Sequence, residues 1–167
     1  MRRVAVLANL SYPGMRVYAA ETDRGAASFG LKVEHFDVTR VDRLAATLER
    51  IAASRPDALF FVQDPVLEPR MSEIAAFALR SGLVSIGSTG TWPALGGLLA
   101  YGADTTEVYK RAAGFIDRIL RGAKPADLPV EQPTKFELAV NLKTAKALGI
   151  TLPPSILARA DQVFSEQ

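Results

Sequence analysis

Five short apolar runs, each four to six residues long, are separated by stretches with helical periodicity. They are Val4–Ala8 (VAVLA), Lys32–Asp37 with Val33 and Phe36 as its apolar positions, Ala58–Val62 (ALFFV), Leu83–Ile86, and Leu98–Tyr101. Most are apolar at consecutive positions, the pattern of strands covered on both faces. The intervening segments repeat at three to four residues. Met71, Ile74, Ala75, Ala78 and Leu79 share one face, as do Val108, Ala112, Phe115, Ile116 and Ile119, and Leu44, Leu48 and Ile51 mark a third helix. Met15–Gly30 is a weaker, Ala-rich helix interrupted by Gly25. The order β-α-β-α-β-α-β-loop-β-α dictates an α/β fold, doubly wound, with a mainly parallel sheet, helices on both faces and right-handed crossovers.

Around Gly122 the character changes. Asp104 and Glu107 open the preceding helix like a capping box, and Gly122 followed by Pro125 closes it. Pro125, Pro129 and Pro133 then stiffen an extended connector. A strand over Phe136–Val140, a helix over Asn141–Leu148 and a last helix from Pro153-Pro154-Ser155 follow. The chain therefore divides into an α/β lobe, residues 1–122, and a Pro-rich connector with a strand and two-helix return segment, residues 123–167.

In open parallel sheets, ligands bind beyond the carboxyl ends of the strands. Here those positions are Asn9, Ser11 and Tyr12; Gln63 and Asp64; Ser88, Thr89, Gly90, Thr91 and Trp92; and Tyr101, Gly102 and Asp104. This rim is polar, rich in hydroxyls and suited to a small polar molecule. Each position also has a structural reading. Asn9 and Ser11 before Pro13, and Asp64 before Pro65, are turn formers; Trp92 and Tyr101 serve packing equally well.

Catalytic patterns are missing. The single histidine, His35, lies within a strand, away from the strand-end loops, which leaves no Ser-His-Asp arrangement. With no cysteine there is neither a disulfide nor a thiolate metal site, and no phosphate-binding glycine loop follows a strand. No cofactor is expected. The 20 basic and 18 acidic residues are interspersed, which argues against a nucleic-acid partner. The opening MRRVAVLANLSYPG reads as a first strand rather than an export signal, because its apolar run is short and lacks a cleavage motif.

The run KPADLPVEQPTKFELAVNLKTAKALGITLPPSILARAD resembles the closing segment of periplasmic ABC-transporter substrate-binding proteins of the tryptophan/uncharacterised-substrate group. ADALFFVQDP and GLVSIGSTGTWPALGGLLAYGADTTEVYKRAAGFIDRILRGAKP are similar to upstream segments of the same proteins. VAVLANLSYPG matches more loosely, with Asn9-Leu10 where the family often has Asn-Pro. The resemblance implies the C-terminal half of a type I periplasmic binding protein, whose two lobes close on a small ligand. It implies a solute-binding, non-enzymatic role in an ABC-type uptake system. The ligand would be small, polar or aromatic and amino-acid-like, and the partner a membrane permease.

Carried onto this sequence, the ligand contacts fall at Asn9, Ser11, Asp64, Ser88 and Thr89, with Tyr101 added from the rim. The resemblance implies the periplasm; a chain that truly starts at Met1 is expected in the cytoplasm. Two other readings share the fold: a free-standing ligand-sensing or regulatory domain, and a nucleotide-dependent enzyme. The apolar residues of the return segment (Val140, Leu142, Leu148, Ile156, Leu157, Phe164) need cover, from this lobe or from another copy. A homodimer through the tail or the cleft face is the expectation.

Overall fold

The computed structural model describes residues 2–165. They form one seven-stranded sheet in the order β2-β1-β3-β4-β5-β6-β7. The strands are β1 (Arg3–Ala8), β2 (Lys32–Asp37), β3 (Ala58–Phe61), β4 (Val84–Gly87), β5 (Leu99–Ala103), β6 (Phe136–Asn141) and β7 (Gln162–Phe164). Every neighbouring pair is parallel except β5 and β6, where Tyr101 lies opposite Leu138 in antiparallel register. The helices are α1 (Pro13–Ser28), α2 (Leu44–Ser54), α3 (Met71–Arg80), α4 (Thr91–Ala94), α5 (Thr105–Leu120), α6 (Leu142–Ala147) and α7 (Pro154–Leu157). The expected doubly wound α/β architecture is present.

The main core lies on one face of the sheet. Helix α2 buries Leu44, Thr47, Leu48 and Ile51, and α3 buries Met71, Ile74, Ala75 and Ala78. Both sets fall at i, i+3, i+4 and i+7, which is one helical stripe. They pack on Ala5, Leu7, Phe36, Leu59 and Phe61 from the strands. Each fully buried Leu, Ile or Met contributes about 1.5–3 kcal/mol. Trp92 of α4 is sealed into the same core and stacks on Phe61 with ring centroids 4.9 Å apart. Gly87 and Gly97 make room for its indole: a Cβ at Gly87 would stand 2.5 Å from the Trp92 ring, and one at Gly97 closer still. Trp92 is thus a packing residue.

The opposite face is thinner. Val6, Ala8 and Val62 form its buried centre, joined by Val4, Leu10, Met15, Val33 and Phe60. Helix α1 lies over this side without burying any residue completely. Gly25 does not interrupt it; the helix continues to Ser28, and Gly30 turns the chain at φ 66°. Helix α5 also has no buried residue, although its sequence is amphipathic.

The return segment joins this sheet. Asn141 caps α6 by accepting from the Thr144 backbone N–H at 2.8 Å. The expected closing helix is a single turn, Pro154–Leu157, and the chain then forms β7 beside β6. Asp161 aligns β7: its backbone N–H donates to the Leu138 carbonyl, and its side chain accepts from the Leu138 N–H, both at 2.8 Å. Three residues are too few to show an alternating pattern, so the strand was not readable from periodicity. Val140 is fully buried here, and Leu142, Leu148, Ile156, Leu157 and Phe164 are partly buried. The lobe itself covers its tail.

Candidate functional site at the carboxyl edge of the sheet

From β1 the chain moves outward to β2, then crosses back to β3 on the other side of β1. The order therefore reverses between β1 and β3. Crevices at such a switch point are where open α/β sheets hold ligands. The residues that end these strands are Asn9 after β1, and Gln63 and Asp64 after β3; Ser88 and Thr89 follow β4 alongside.

Asn9 is buried. Its Oδ1 accepts from the Ser11 backbone N–H at 3.1 Å and from the Ser11 hydroxyl at 2.6 Å. This local ring fixes the turn that leads into Pro13 and α1. Asp37, at the end of β2, accepts from the Leu10 N–H at 2.8 Å and holds the same turn from the other side. The next strand uses its acid in a similar way. Asp64 Oδ1 accepts from the backbone N–H groups of Val66 and Leu67 at 2.7 and 2.8 Å. The other carboxylate oxygen, Oδ2, is buried and has no hydrogen-bond partner. Thr89 donates to Gln63 Oε1 at 2.6 Å, tying the loop after β4 to the loop after β3. Ser88 is half-buried, and its carbonyl oxygen lies directly against Gly102 of β5.

Asn9, Ser11, Asp64, Ser88 and Thr89 thus stand on one edge of the sheet. Tyr101 stands apart from them. It lies two residues inside the end of β5, is 56% exposed, and stacks on Phe136 with centroids 5.8 Å apart. Its neighbour Ala100 points into the main core, so the tyrosine ring faces the opposite, thinner side of the sheet.

Two further contributions are visible only in three dimensions: the bond made by Gln63, a residue the rim already included, and the part played by Asp37. Gln63 is the hydrogen-bond partner that positions Thr89, and Asp37 braces the first loop. Gln63 lies just beyond β3 and Asp37 is the last residue of β2, and that position was the available signal; their partners are 26 and 27 residues away in sequence.

Asp37, Asp64 and Asp104 each stand at or just beyond the carboxyl end of a strand. Asp104, at the end of β5, accepts from the N–H groups of Thr106 and Glu107 as the N-cap of α5. It also accepts from Lys135 Nζ at 2.7 Å. The lysine hydrogen bond holds the Asp104 carboxyl below the usual carboxylate range, and the two backbone donors add to this. Lys135 is correspondingly raised, first by its hydrogen bond to Asp104. At the opposite edge Asp57 is lowered by the Arg2 and Arg3 backbone N–H groups, a clamp that joins the start of β1 to β3. Among the described residues, no cluster of three His, Cys, Asp or Glu could hold a metal ion.

A groove of about 750 Å³ lies elsewhere, near Gly96, Thr144 and Phe164. Gly96 precedes β5, Thr144 lies in α6 just after β6, and Phe164 ends β7, which places the groove toward the amino edge of the parallel strands. Two of its polar side chains are engaged: the Asn141 amide donates to the Pro93 carbonyl at 2.8 Å, and Thr144 donates to the Gly96 carbonyl at 2.9 Å.

The sequence profile described as ABC transporter substrate binding protein matches residues 1–164. The chain belongs to this family. No curated protein matches it. Among solved structures, it is similar to an ABC domain from Streptococcus pneumonia in complex with L-Trp. That match has 28% identity and a TM-score of 0.90, covering 98% of this chain and 55% of the other. It is also similar to a conserved domain protein from Vibrio cholerae, with 21% identity and a TM-score of 0.90, over 97% of this chain and 54% of the other. A third likeness is to a ligand-free, open substrate binding protein with adhesive properties from Clostridium difficile. There the identity is 19% and the TM-score 0.71, over 99% of this chain and 55% of the other. The last two likenesses concern the fold alone. This family member spans about half the length of the solved structures it matches. Among its described residues no helix is long and apolar enough to cross a membrane.

Proposed function

We propose that this chain is a solute-binding lobe of an ABC-type uptake system, taking up an amino-acid-like ligand at the carboxyl edge of its sheet. The observation that carries the reading is the family match over nearly the whole chain, together with a hydrogen-bonding edge at the topological switch point. The relative at 28% identity holds L-Trp, which supports an amino acid as ligand class. Gln63, Asp64, Ser88 and Thr89 supply the polar contacts from this lobe, with Asn9 and Ser11 shaping the first loop. The chemistry is binding without bond making. Delivery to a membrane permease and a periplasmic setting follow from the family role.

The test is an amide NMR titration of the chain with each of the common L-amino acids. At least one should shift the backbone amides of Ser11, Val66, Leu67 and Thr89 progressively. Thr89→Ala should weaken that titration about threefold to tenfold, the loss of one neutral hydrogen bond, with the fold intact. Shifts confined to Gly96, Thr144 and Phe164 would move the site to the opposite groove and refute the assignment.

A further inference from the structure

We propose that Asp104, paired with Lys135, is a lock that fixes the angle at which residues 105–134 stand on the lobe, and that breaking this one ion pair frees the segment to swing as a unit.

Burial marks the segment off. From residue 105 to residue 135, a run that holds α5 and the Pro-rich connector, no residue is buried. None of its side chains belongs to either core. Its ion pairs stay inside it: Lys110 with Glu107, Arg111 with Glu131, and Arg121 with Asp117. Arg118 lies over the Phe115 ring of the same helix. The Arg111–Glu131 pair ties the connector back onto α5, so helix and connector hold together as one body. Among the described residues, the hydrogen bonds that leave this body for a side chain end on Asp104.

The chain leaves the sheet at the end of β5 and returns at the start of β6, two neighbouring antiparallel strands. Asp104 stands at that neck and is only 4% exposed. Its N–H donates to the Lys135 carbonyl at 3.0 Å, which carries the β5–β6 ladder one step further. Its Oδ1 accepts from the N–H groups of Thr106 and Glu107 at 2.9 and 3.2 Å, which fixes the first turn of α5. Its Oδ2 accepts from Lys135 Nζ at 2.7 Å. One carboxylate thus sets where α5 starts relative to β6. A segment that buries nothing takes no orientation from packing. Changes in a few dihedrals at its neck are then enough to swing it.

The pair stays charged through the neutral range. The Lys135 hydrogen bond, and after it the two backbone donors, keep the Asp104 carboxyl below its ordinary range, and Asp104 keeps Lys135 above its own. The other charges at the neck, Glu137 of β6 and Glu107 of α5, also favour the lysine cation. A carboxyl whose pKa is lowered by folding gives up its contribution only as pH falls through that lowered value, so the lock holds at neutral and mildly acid pH. The Lys135 side chain is 59% exposed, which makes added salt the condition that weakens the pair.

The chain has no cysteine, so two introduced ones can be labelled alone. Single-molecule energy transfer is read between Leu120→Cys at the end of α5 and Phe29→Cys at the end of α1, positions 81% and 82% exposed. At that dilution the chain has no second copy to meet. The unaltered neck should give one narrow distance distribution. Asp104→Asn keeps an oxygen for Thr106 and Glu107 and loses the acceptor for Lys135, whereas Lys135→Met leaves the cap untouched. Each should broaden the distribution at least about twofold, the collective motion of a released body. Lys135→Arg should keep it narrow. A pair within the lobe, Phe29→Cys with Lys146→Cys, should not change, and neither should far-ultraviolet circular dichroism. A distribution that stays narrow in both Asp104→Asn and Lys135→Met overturns the lock. So does one already broad in the unaltered neck, or a broadening shared by the pair within the lobe. If Asp104→Asn fails to fold, Lys135→Met removes only an exposed side chain and decides the matter alone.

Discussion

Gly102 is the residue on which the loop after β4 depends. The Ser88 carbonyl oxygen occupies the space that a side chain at Gly102 would fill, and the obstacle is backbone, which cannot rotate away. Gly102→Ala should therefore cost at least about 3 kcal/mol in a urea denaturation midpoint, above the usual range for overpacking, or abolish folding. Gly25 makes the contrast. It lies mid-helix in α1 with nothing within 4 Å of a built Cβ. Gly25→Ala should stabilise by about 0.5–1 kcal/mol through helix propensity. If both substitutions gave the same small change, the close approach of Ser88 to Gly102 would be refuted. The sequence carried the rim residues individually, because strand ends are readable from the apolar runs. It did not carry their bonds. That Asn9 spends its oxygen on Ser11, and that Asp64 spends one oxygen and not the other, depends on turn geometry a linear pattern does not contain.

At the scale of elements the four long helices fall into two classes. Helices α2 and α3 each bury four residues in the main core, whereas α1 and α5 bury none. Helix α5 is held by its Asp104 cap and by Arg111–Glu131 at 2.5 Å, with Ile116 57% exposed and Val108 and Ile119 also open to solvent. Surface ion pairs contribute little stability. Amide exchange in the middle of α5 should thus run at least about a hundredfold faster than in the middle of α3, through local rather than global opening. Equal protection of the two helices would show that α5 is packed. The core-facing stripes of α2 and α3 were legible in sequence because their apolar spacing and their burial coincide. Helix α5 has the same kind of spacing, and the pattern predicted an amphipathic helix correctly without saying what its apolar side meets. β7 was illegible for another reason: its three residues are fixed by Asp161 and the edge of β6, both tertiary features.

The whole molecule is a seven-stranded lobe that packs its own tail and leaves an apolar face of α5 open. The return segment completes the sheet, so the tail no longer supplies a reason for self-association. The apolar side of α5, with Val108, Ile116, Ile119 and Leu120 exposed, supplies a different one. Relatives about twice as long provide further chain, but a purified solution of this chain contains only copies of itself. A twofold pairing of α5 against α5 buries the same stripe from both copies at once, which is the economy of an isologous interface. Light scattering at tens of micromolar should accordingly give twice the 18.0 kDa chain mass. Ile116→Glu with Ile119→Glu should return the monomer without changing far-ultraviolet circular dichroism, since neither side chain is part of the core. A dimer that persists in this double variant would place the interface on the cleft face instead, and a monomer in the unaltered chain would show that α5 tolerates water without a partner. The outcome also bears on binding. A dimer through α5, which follows β5 rather than β1 or β3, leaves the loops after β3 and β4 uncovered, so dimer and ligand should form independently in the same sample.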